Sequence, residues 1–388
     1  LPLAWWLLGQ PARLTRAGLA WAWILVLLAD LWALGEPLVA VHPEEDIFAG
    51  SASVRFLQEH AGEHGRVLDI NCPDMPANST PLWPNLPLAV GVEPVRGYNP
   101  MDVLRYKEFL QFLTDQDQPL QPLDRKLTSA ILGTFPIKNQ SLADLLGVRY
   151  LVQPADMPLE TIIQDQQGQK QWQRVLTDPA PRTYSFIPAE GNEHPAGFQT
   201  LPPYVVYENH GALPRAFVVP EAAPLPARAD ILAALKNNDF RQRVFLEGWT
   251  PAPGRQPAPE KPSQAEIQRY QPNQVVIQVN GPAPGYLVLA DVWFPGWTCF
   301  VDGQPVPLYR ADYVFRAVEV PAGSHRVTFT LAPPSYRWGK IISSMTALLV
   351  LGLTGLALLR RGQTSFFRAA TARERRCPRS LAVAARNA

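Results

Sequence analysis

Two short runs of acidic and histidine residues have the composition of metal sites. Asp115-Gln116-Asp117 places two carboxylates one residue apart, a spacing that can hold a divalent cation on a sugar nucleotide. The alternative for this run is a solvated loop after a helix. His60-Ala61-Gly62-Glu63-His64 matches the H-x-x-E-H pattern of inverted zincins, but Gly62 falls where the helix ends and no third ligand is evident. We therefore predict no metal site and assign no catalytic residue.

Four aromatic residues in the last quarter of the chain are candidate glycan-contact residues. They are Trp293, Trp297, Tyr309 and Tyr313. Aromatic rings stack on sugar rings, although most residues of this kind pack in cores and turns. We expect no cofactor, because the sequence has no phosphate-binding loop, nucleophile elbow, dinucleotide fingerprint or Cys-x-x-Cys pair.

Two apolar stretches are long enough to cross a bilayer. Residues 341–359 contain no charge and follow Lys340, and 19 helical residues span the ~30 Å of the hydrocarbon. Residues 17–35 contain one charge, Asp30, and have tryptophans near both ends. Asp30 either reaches the interface or contacts another helix. We interpret the apolar residues 1–9 as the end of a preceding transmembrane helix, so that the chain is the C-terminal part of a longer protein or a truncation.

The formal net charge of +1 conceals a strong separation of charge. Residues 360–388 carry eight Arg and one Glu, whereas residues 36–339 carry a net charge of −8. The positive-inside rule places the basic tail in the cytoplasm and residues 36–339 outside it. The tail predicts contact with anionic lipid headgroups rather than with nucleic acid. Of the three cysteines, Cys72 and Cys299 would then lie outside and Cys377 inside.

The sequence predicts a membrane-anchored α+β protein, with transmembrane helices flanking an extracytoplasmic α/β subdomain and a C-terminal β-sandwich. Helix-like and strand-like patterns alternate first, beginning with a predicted helix at 51–60. Short strands with hairpin turns dominate later, among them predicted strands at 273–279 and 325–331. The predicted extracytoplasmic segments are an α/β subdomain (41–160), a β-rich segment (161–250), a Pro-rich linker (251–262) and a β-sandwich (263–335).

The C-terminal region also resembles a known family. Phe294-Pro295-Gly296-Trp297 forms an aromatic turn, and a Val-Asp-Gly hairpin and an Arg-Ala-Val strand follow it. Together with the Pro-Ala-Gly-x-His motif at 321–325 and the membrane helix that follows, these runs resemble the end of YfhO family bacterial membrane proteins. Residues 207–219 and 145–152 are similar to the family as well. The resemblance covers 285–330 well and 45–340 loosely.

This resemblance implies a multi-pass bacterial cell-membrane protein that is similar to GT-C glycosyltransferases. Such enzymes take sugar from a lipid-phosphate donor, and family members are linked to glycosylation of cell-envelope polymers. The family's catalytic carboxylate is expected in an early outer loop, so no residue of this chain inherits that role. We expect the partners to be the lipid bilayer, the N-terminal transmembrane core and an envelope glycan or lipid-linked sugar. The alternative is a non-enzymatic, membrane-anchored binding or assembly module.

Overall fold

The computed structural model describes most of the chain. The described residues are 16–35, 51–60, 65–70, 80–82, 87, 90–95, 103–114, 136–185, 197–227, 229–251 and 263–374. Residues 1–9, Asp115-Gln116-Asp117, His64, Cys72, Cys377 and most of the predicted linker lie outside these ranges.

Eight helices lie within the described residues. They are α1 (Arg16–Gly35), α2 (Ala52–His60), α3 (Leu104–Thr114), α4 (Gln140–Leu146), α5 (Leu159–Ile162), α6 (Gln166–Gln169), α7 (Ile231–Lys236) and α8 (Pro334–Glu374). Gly147 ends α4 in the left-handed conformation, with φ of +74°, and its N–H bonds back to Ala143 and Asp144.

Eighteen strands lie within the same ranges. In chain order they are β1 (Arg66–Asp69), β2 (Glu93–Pro94), β3 (Val148–Pro154), β4 (Trp172–Asp178), β5 (Arg182–Ser185), β6 (Gly197–Thr200), β7 (Tyr204–Asn209), β8 (Ala216–Val219), β9 (Glu221–Pro224), β10 (Arg243–Glu247), β11 (Gln264–Gln271), β12 (Gln274–Gly281), β13 (Gly285–Leu289), β14 (Trp297–Val301), β15 (Gln304–Val306), β16 (Tyr309–Ala311), β17 (Phe315–Val320) and β18 (Gly323–Leu331).

These strands form three larger sheets and one hairpin-like pair. The first sheet has the order β2-β1-β3-β7-β4, the middle sheet β8-β13-β17-β16-β10-β9, and the outer sheet β11-β12-β18-β14-β15. The fourth sheet contains β5 and β6 alone. The middle sheet combines strands from both sides of residues 251–262, because β8 pairs with β13 and β10 pairs with β16.

The sheets are stacked in layers around three hydrophobic cores. One core joins the middle and outer sheets, where Val275, Ile277 and Val279 of β12 alternate inward towards Leu287 and Val318. A second core packs the other face of the middle sheet against α3 and α4. A third core lies between the first sheet and α2. The middle sheet is therefore covered on both faces.

The mixed α+β class that the sequence predicts is confirmed, with many strands in sheets. The subdomain boundaries stay predictions. The helix predicted at 341–359 lies inside α8, whose apolar window Pro334–Leu356 has a mean hydropathy of 1.5 and is 0% buried. Within the described residues this is the one helix long and apolar enough to cross a membrane. The other predicted span, residues 17–35, is helical as part of α1, and its role as a span stays a prediction.

Candidate functional site

A cavity of about 220 Å³ lies between α3 and one end of the middle sheet. Four separate parts of the chain bring polar and apolar side chains to it. The lining residues are Arg105, Leu225, Pro226, Ile231, Glu247, Gly248 and Tyr313. The cavity is smaller than the roughly 300–1,000 Å³ of typical ligand pockets, so it suits one small polar group or a single ring.

Glu247, the last residue of β10, is held between two arginines at this cavity. Arg105 donates to both carboxylate oxygens, at 2.6 and 3.2 Å, and Arg310 donates to Oε2 at 2.7 Å. Burial raises the pKa of Glu247, but these two arginines outweigh it and the pKa ends below its usual value. The carboxylate is therefore ionised at neutral pH, and 40% of the side chain remains exposed.

The turn that carries Tyr313 has an unusual backbone. Asp312 and Tyr313 have φ of +44° and +79°, a region that side-chain-bearing residues rarely adopt and that costs on the order of 1–3 kcal/mol each. Tyr313 donates its hydroxyl to Glu108 of α3 and lies 5.0 Å from the Arg105 guanidinium. The N–H of Phe245 donates to Asp312 Oδ1 at 2.9 Å. Tertiary contacts therefore hold the turn in place.

The structure distributes the four candidate glycan-contact residues over different environments. The Arg310 guanidinium lies 4.1 Å from the ring centre of Trp293, which places that indole beside the ion pair between Arg310 and Glu247. Tyr313 lines the cavity but is only 3% exposed. Trp297 lies 3.9 Å from the Arg316 guanidinium, and Tyr309 packs against the core shared with α3. Trp293 and Tyr313 thus belong to one site, whereas Trp297 and Tyr309 lie elsewhere. Glycan contact by any of the four stays a prediction.

A second group of charged side chains lies buried where the three sheets meet. Asp291, which follows β13, accepts from Arg316 of β17 at 2.8 Å. Arg215 Nε and Arg66 Nη2 lie 3.3 and 3.6 Å from Asp291 Oδ1. Tyr270 of β11 donates to both carboxylate oxygens, at 3.0 and 3.1 Å. We call these residues the Asp291 cluster. It connects the first sheet through Arg66, the middle sheet through Arg316 and the outer sheet through Tyr270.

The Asp291 cluster holds more positive than negative charge. Arg215 also pairs with Glu93, so that three arginines face two carboxylates. Burial raises the pKa of Asp291, but the arginines, led by Arg215, outweigh it and leave the pKa below its usual value. Among the described residues, Arg215 Nη1 and Arg316 Nη1 are buried without a hydrogen-bond partner. Loss of the central carboxylate would therefore leave buried charge uncompensated.

Glu247 and Asp312, two carboxyl groups at the cavity end of the middle sheet, have opposite environments. Glu247 is exposed, but its pKa is lowered and both of its oxygens are engaged by arginine. Burial raises the pKa of Asp312 to about 8, yet this residue is only 1% exposed. General acid catalysis needs a raised pKa and access to substrate together. Glu247 has the access and Asp312 has the raised pKa, so neither of the two meets both conditions.

Sequence reasoning did not identify Arg105, Glu247, Arg310 or the Asp291 cluster. One signal was present, because Asp291 and Arg316 are charged residues next to or inside strongly apolar strands. The sequence does not reveal that such a pair is buried, because the burial depends on a third element that packs against the strands. Arg66 and Arg215 are more than 70 positions from Asp291 along the chain, and periodicity carries no information about that contact.

The comparisons with known proteins agree with the resemblance noted in the sequence. Residues 258–343 match the family model described as bacterial membrane protein YfhO. This segment runs from β11 to the first turns of α8 and includes Asp291, Trp293, Arg310 and Tyr313. No curated protein and no solved structure matches the chain.

Proposed function

We propose that this chain, whose residues 258–343 match the family model of the bacterial membrane protein YfhO, is the C-terminal, non-catalytic part of a glycosyltransferase that modifies a cell-envelope polymer. The complete protein would transfer sugar from a lipid-phosphate donor. This part would be anchored by α8 and would hold the acceptor glycan outside the cytoplasm. The observation that carries the proposal is a row of side chains beside the cavity, formed by Trp293, Arg310, Glu247 and Arg105.

The chemistry of this row suits a sugar better than it suits a free anion or an apolar ligand. Arg105 and Arg310 offer planar N–H donors, Glu247 offers an acceptor, and Trp293 offers an apolar ring. Sugar hydroxyls accept and donate at neighbouring positions, so one ring can use both kinds of partner. A phosphate would meet the ionised Glu247 at the centre of the row, which disfavours it.

The membrane anchor is supported by the surface of α8. Its large apolar side chains are exposed along the helix, with Leu348 at 70%, Leu351 at 68% and Ile342 at 61%. Exposed apolar surface of this extent on a helix longer than 30 Å is typical of contact with lipid. With the basic tail in the cytoplasm, residues 36–339 would be extracytoplasmic, and the middle and outer sheets would form a β-sandwich directly above α8.

Binding can be tested on the chain in lipid nanodiscs with neutral hexose oligosaccharides of different composition as probes. Saturation-transfer NMR should detect one of these probes, and Arg310→Ala should abolish the signal because it removes both a donor and the support of Trp293. Arg243→Ala is the matched control, since Arg243 forms an exposed ion pair with Glu221 in the same sheet. Equal loss in both variants, or no signal from any probe, would contradict the proposal.

The alternative function is a membrane-anchored binding or assembly module without transfer activity, in which the same row of side chains would hold a glycan. The complete protein, supplied with a polyprenyl-phosphate sugar and the saccharide that binds, would distinguish the two. Radiolabel transfer to the saccharide supports the glycosyltransferase. Binding without transfer supports the module.

A further inference from the structure

The turn formed by Phe294, Pro295 and Gly296 is fixed to the beginning of α8. The N–H of Ala332 donates to Gly296 O at 2.9 Å. Gly296 has φ of +103°, and a Cβ at this position would lie 2.8 Å from the Pro333 backbone. Such close approach requires glycine. The turn therefore lies against the chain immediately before the helix begins at Pro334.

Exposed aromatic residues surround this junction. Phe294 is 50% exposed in the turn, and Tyr336 and Trp338 are 66% and 65% exposed in the first turns of α8. Tyr and Trp are enriched at the level of lipid headgroups, because one end of each side chain is apolar and the other carries a polar group, whereas the Phe294 ring is wholly apolar. Their clustering at one end of an apolar helix indicates a boundary between water and lipid.

The charges at the junction have one sign. Arg337 and Lys340 are exposed on the same helical turns, and the first turn of α8 contains no acidic residue. Lys340 Nζ lies 5.7 Å from the ring centre of Tyr336. Basic side chains near a bilayer surface each contribute about 1 kcal/mol of attraction to anionic lipids. The junction therefore matches an anionic headgroup layer in charge as well as in polarity.

Helix geometry gives the depth of these residues. The uncharged stretch begins at Ile341, and a rise of 1.5 Å per residue places Trp338 about 4.5 Å and Tyr336 about 7.5 Å above the hydrocarbon. The headgroup layer on each side is roughly 5–8 Å thick, from the difference between the total and hydrocarbon thickness of a bilayer. The turn at Gly296 lies against Pro333, about 12 Å above the hydrocarbon and a few ångströms above that layer, so the exposed side chains of Phe294 and Pro295 are the part of the turn that would reach it.

We propose that Phe294, Pro295, Tyr336 and Trp338, with Arg337 and Lys340, form a membrane-contact surface that rests in the headgroup layer of an anionic bilayer. The inference rests on the proposed crossing of the membrane by α8 and adds that the sheets themselves touch the lipid. Because the turn is fixed to α8 and leads directly into β14, contact with lipid at Phe294 restrains the tilt of the outer sheet. The cavity at Glu247 is then held at a constant height above lipid-linked substrates.

Spin labels placed at three positions test this surface. The chain would be reconstituted in liposomes that contain phosphatidylglycerol, in a background with Cys72→Ser and Cys377→Ser. Cys299 can stay, because burial raises the pKa of its thiol to about 12 and the side chain is only 2% exposed. The labelled variants are Phe294→Cys, Leu348→Cys in the apolar part of α8, and Gln304→Cys, at the exposed first residue of β15, which pairs with Val301 at the end of β14.

The depth of each label is measured by the ratio of two collision rates, the rate with oxygen and the rate with a water-soluble nickel complex. We expect the ratio at position 294 to shift from the water value at position 304 towards the lipid value at position 348. Equal ratios at 294 and 304, with position 348 in lipid, would overturn the membrane-contact surface but leave the anchor intact. A water value at position 348 would overturn the anchor and the surface together.

A second measurement avoids substitution of Phe294. Lipids brominated near the headgroup quench tryptophan at that depth, and Trp338→Phe should remove part of this quenching. Trp249→Phe is the control, because Trp249 is only 9% exposed within the sheets. Equal loss of quenching in the two variants, or no loss in either, would contradict the proposed surface.

Discussion

Replacement of Asp291 by Asn should strongly destabilise the three sheets that meet at this residue. The substitution keeps the size of the side chain and leaves an oxygen for Tyr270, but it removes the negative charge that Arg66, Arg215 and Arg316 share. Removal of one partner from a buried ion pair costs about 3–5 kcal/mol, because the remaining charge stays buried without compensation. We expect a loss in this range, since the Asp291 side chain is 11% exposed and those of Arg215 and Arg316 only 3%.

Thermal unfolding of the chain in nanodiscs, followed by tryptophan fluorescence, measures this loss. For a domain of 150–250 residues 1 kcal/mol corresponds to about 2–4 °C, so the midpoint should fall by roughly 6–20 °C. Glu221→Gln is the control, because it breaks the exposed pair with Arg243, and such pairs contribute about 0–1 kcal/mol. A fall in Asp291→Asn no larger than in Glu221→Gln would refute the role given to the cluster.

The pH dependence supplies an independent check of the same reasoning. The pKa of Asp291 is lowered in the folded state, so its charge stabilises the fold above its unfolded pKa. That stabilisation is lost as pH falls through the folded pKa. The difference in midpoint between the unsubstituted protein and Asp291→Asn should therefore be constant near neutrality and shrink below about pH 5. A difference that grows on acidification would contradict this sign.

Three further substitutions or reactions follow from the structure. Asp312→Asn should raise the unfolding midpoint at pH 9 more than at pH 5. Burial raises the pKa of Asp312 in the folded protein to about 8, so the folded protein loses stability as pH rises through that value. An equal effect of the substitution at both pH values would contradict this. Gly296→Ala should lower the unfolding midpoint more than Gly303→Ala. Both glycines have positive φ, but only at position 296 would the added Cβ collide with Pro333. An equal loss in the two variants would argue against the close approach. Cys299 should react with maleimide only after unfolding, as its thiol is buried and has a raised pKa, and rapid labelling of the folded chain would contradict its placement.

Local elements were largely predictable from the sequence. The predicted strand at 273–279 corresponds to β12, and the predicted strand at 325–331 lies within β18. Residues 327–331 alternate apolar and polar side chains with a period of two, whereas Val275, Val276 and Ile277 form a short apolar run of β-branched residues. The helix predicted at 51–60 is α2, and its Ser51 hydroxyl bonds to Asp178 of β4. The pattern of apolar and polar residues within a short segment depends on which side chains of that segment are buried, so it locates individual helices and strands well.

The assembly of those elements was not predictable in the same way. The middle sheet pairs Ala216 with Leu289 and Leu246 with Ala311, contacts between segments separated by more than 60 positions. Alternation determines which face of a strand is buried but not which strand lies beside it. The candidate site depends on these long-range pairs, since Arg105, Glu247 and Arg310 come from three different regions. For this reason the aromatic residues could be nominated, whereas their charged neighbours could not.

Labelling from outside the membrane tests the central claim that the sheets form an extracytoplasmic module anchored by α8. In intact spheroplasts that express the Cys72→Ser, Gln304→Cys variant, a membrane-impermeant maleimide should label position 304 and leave Cys377 unlabelled until the membrane is permeabilised. Labelling of Cys377 with protection of position 304 would invert the topology. Labelling of both residues in intact spheroplasts would show that α8 does not separate them across a membrane.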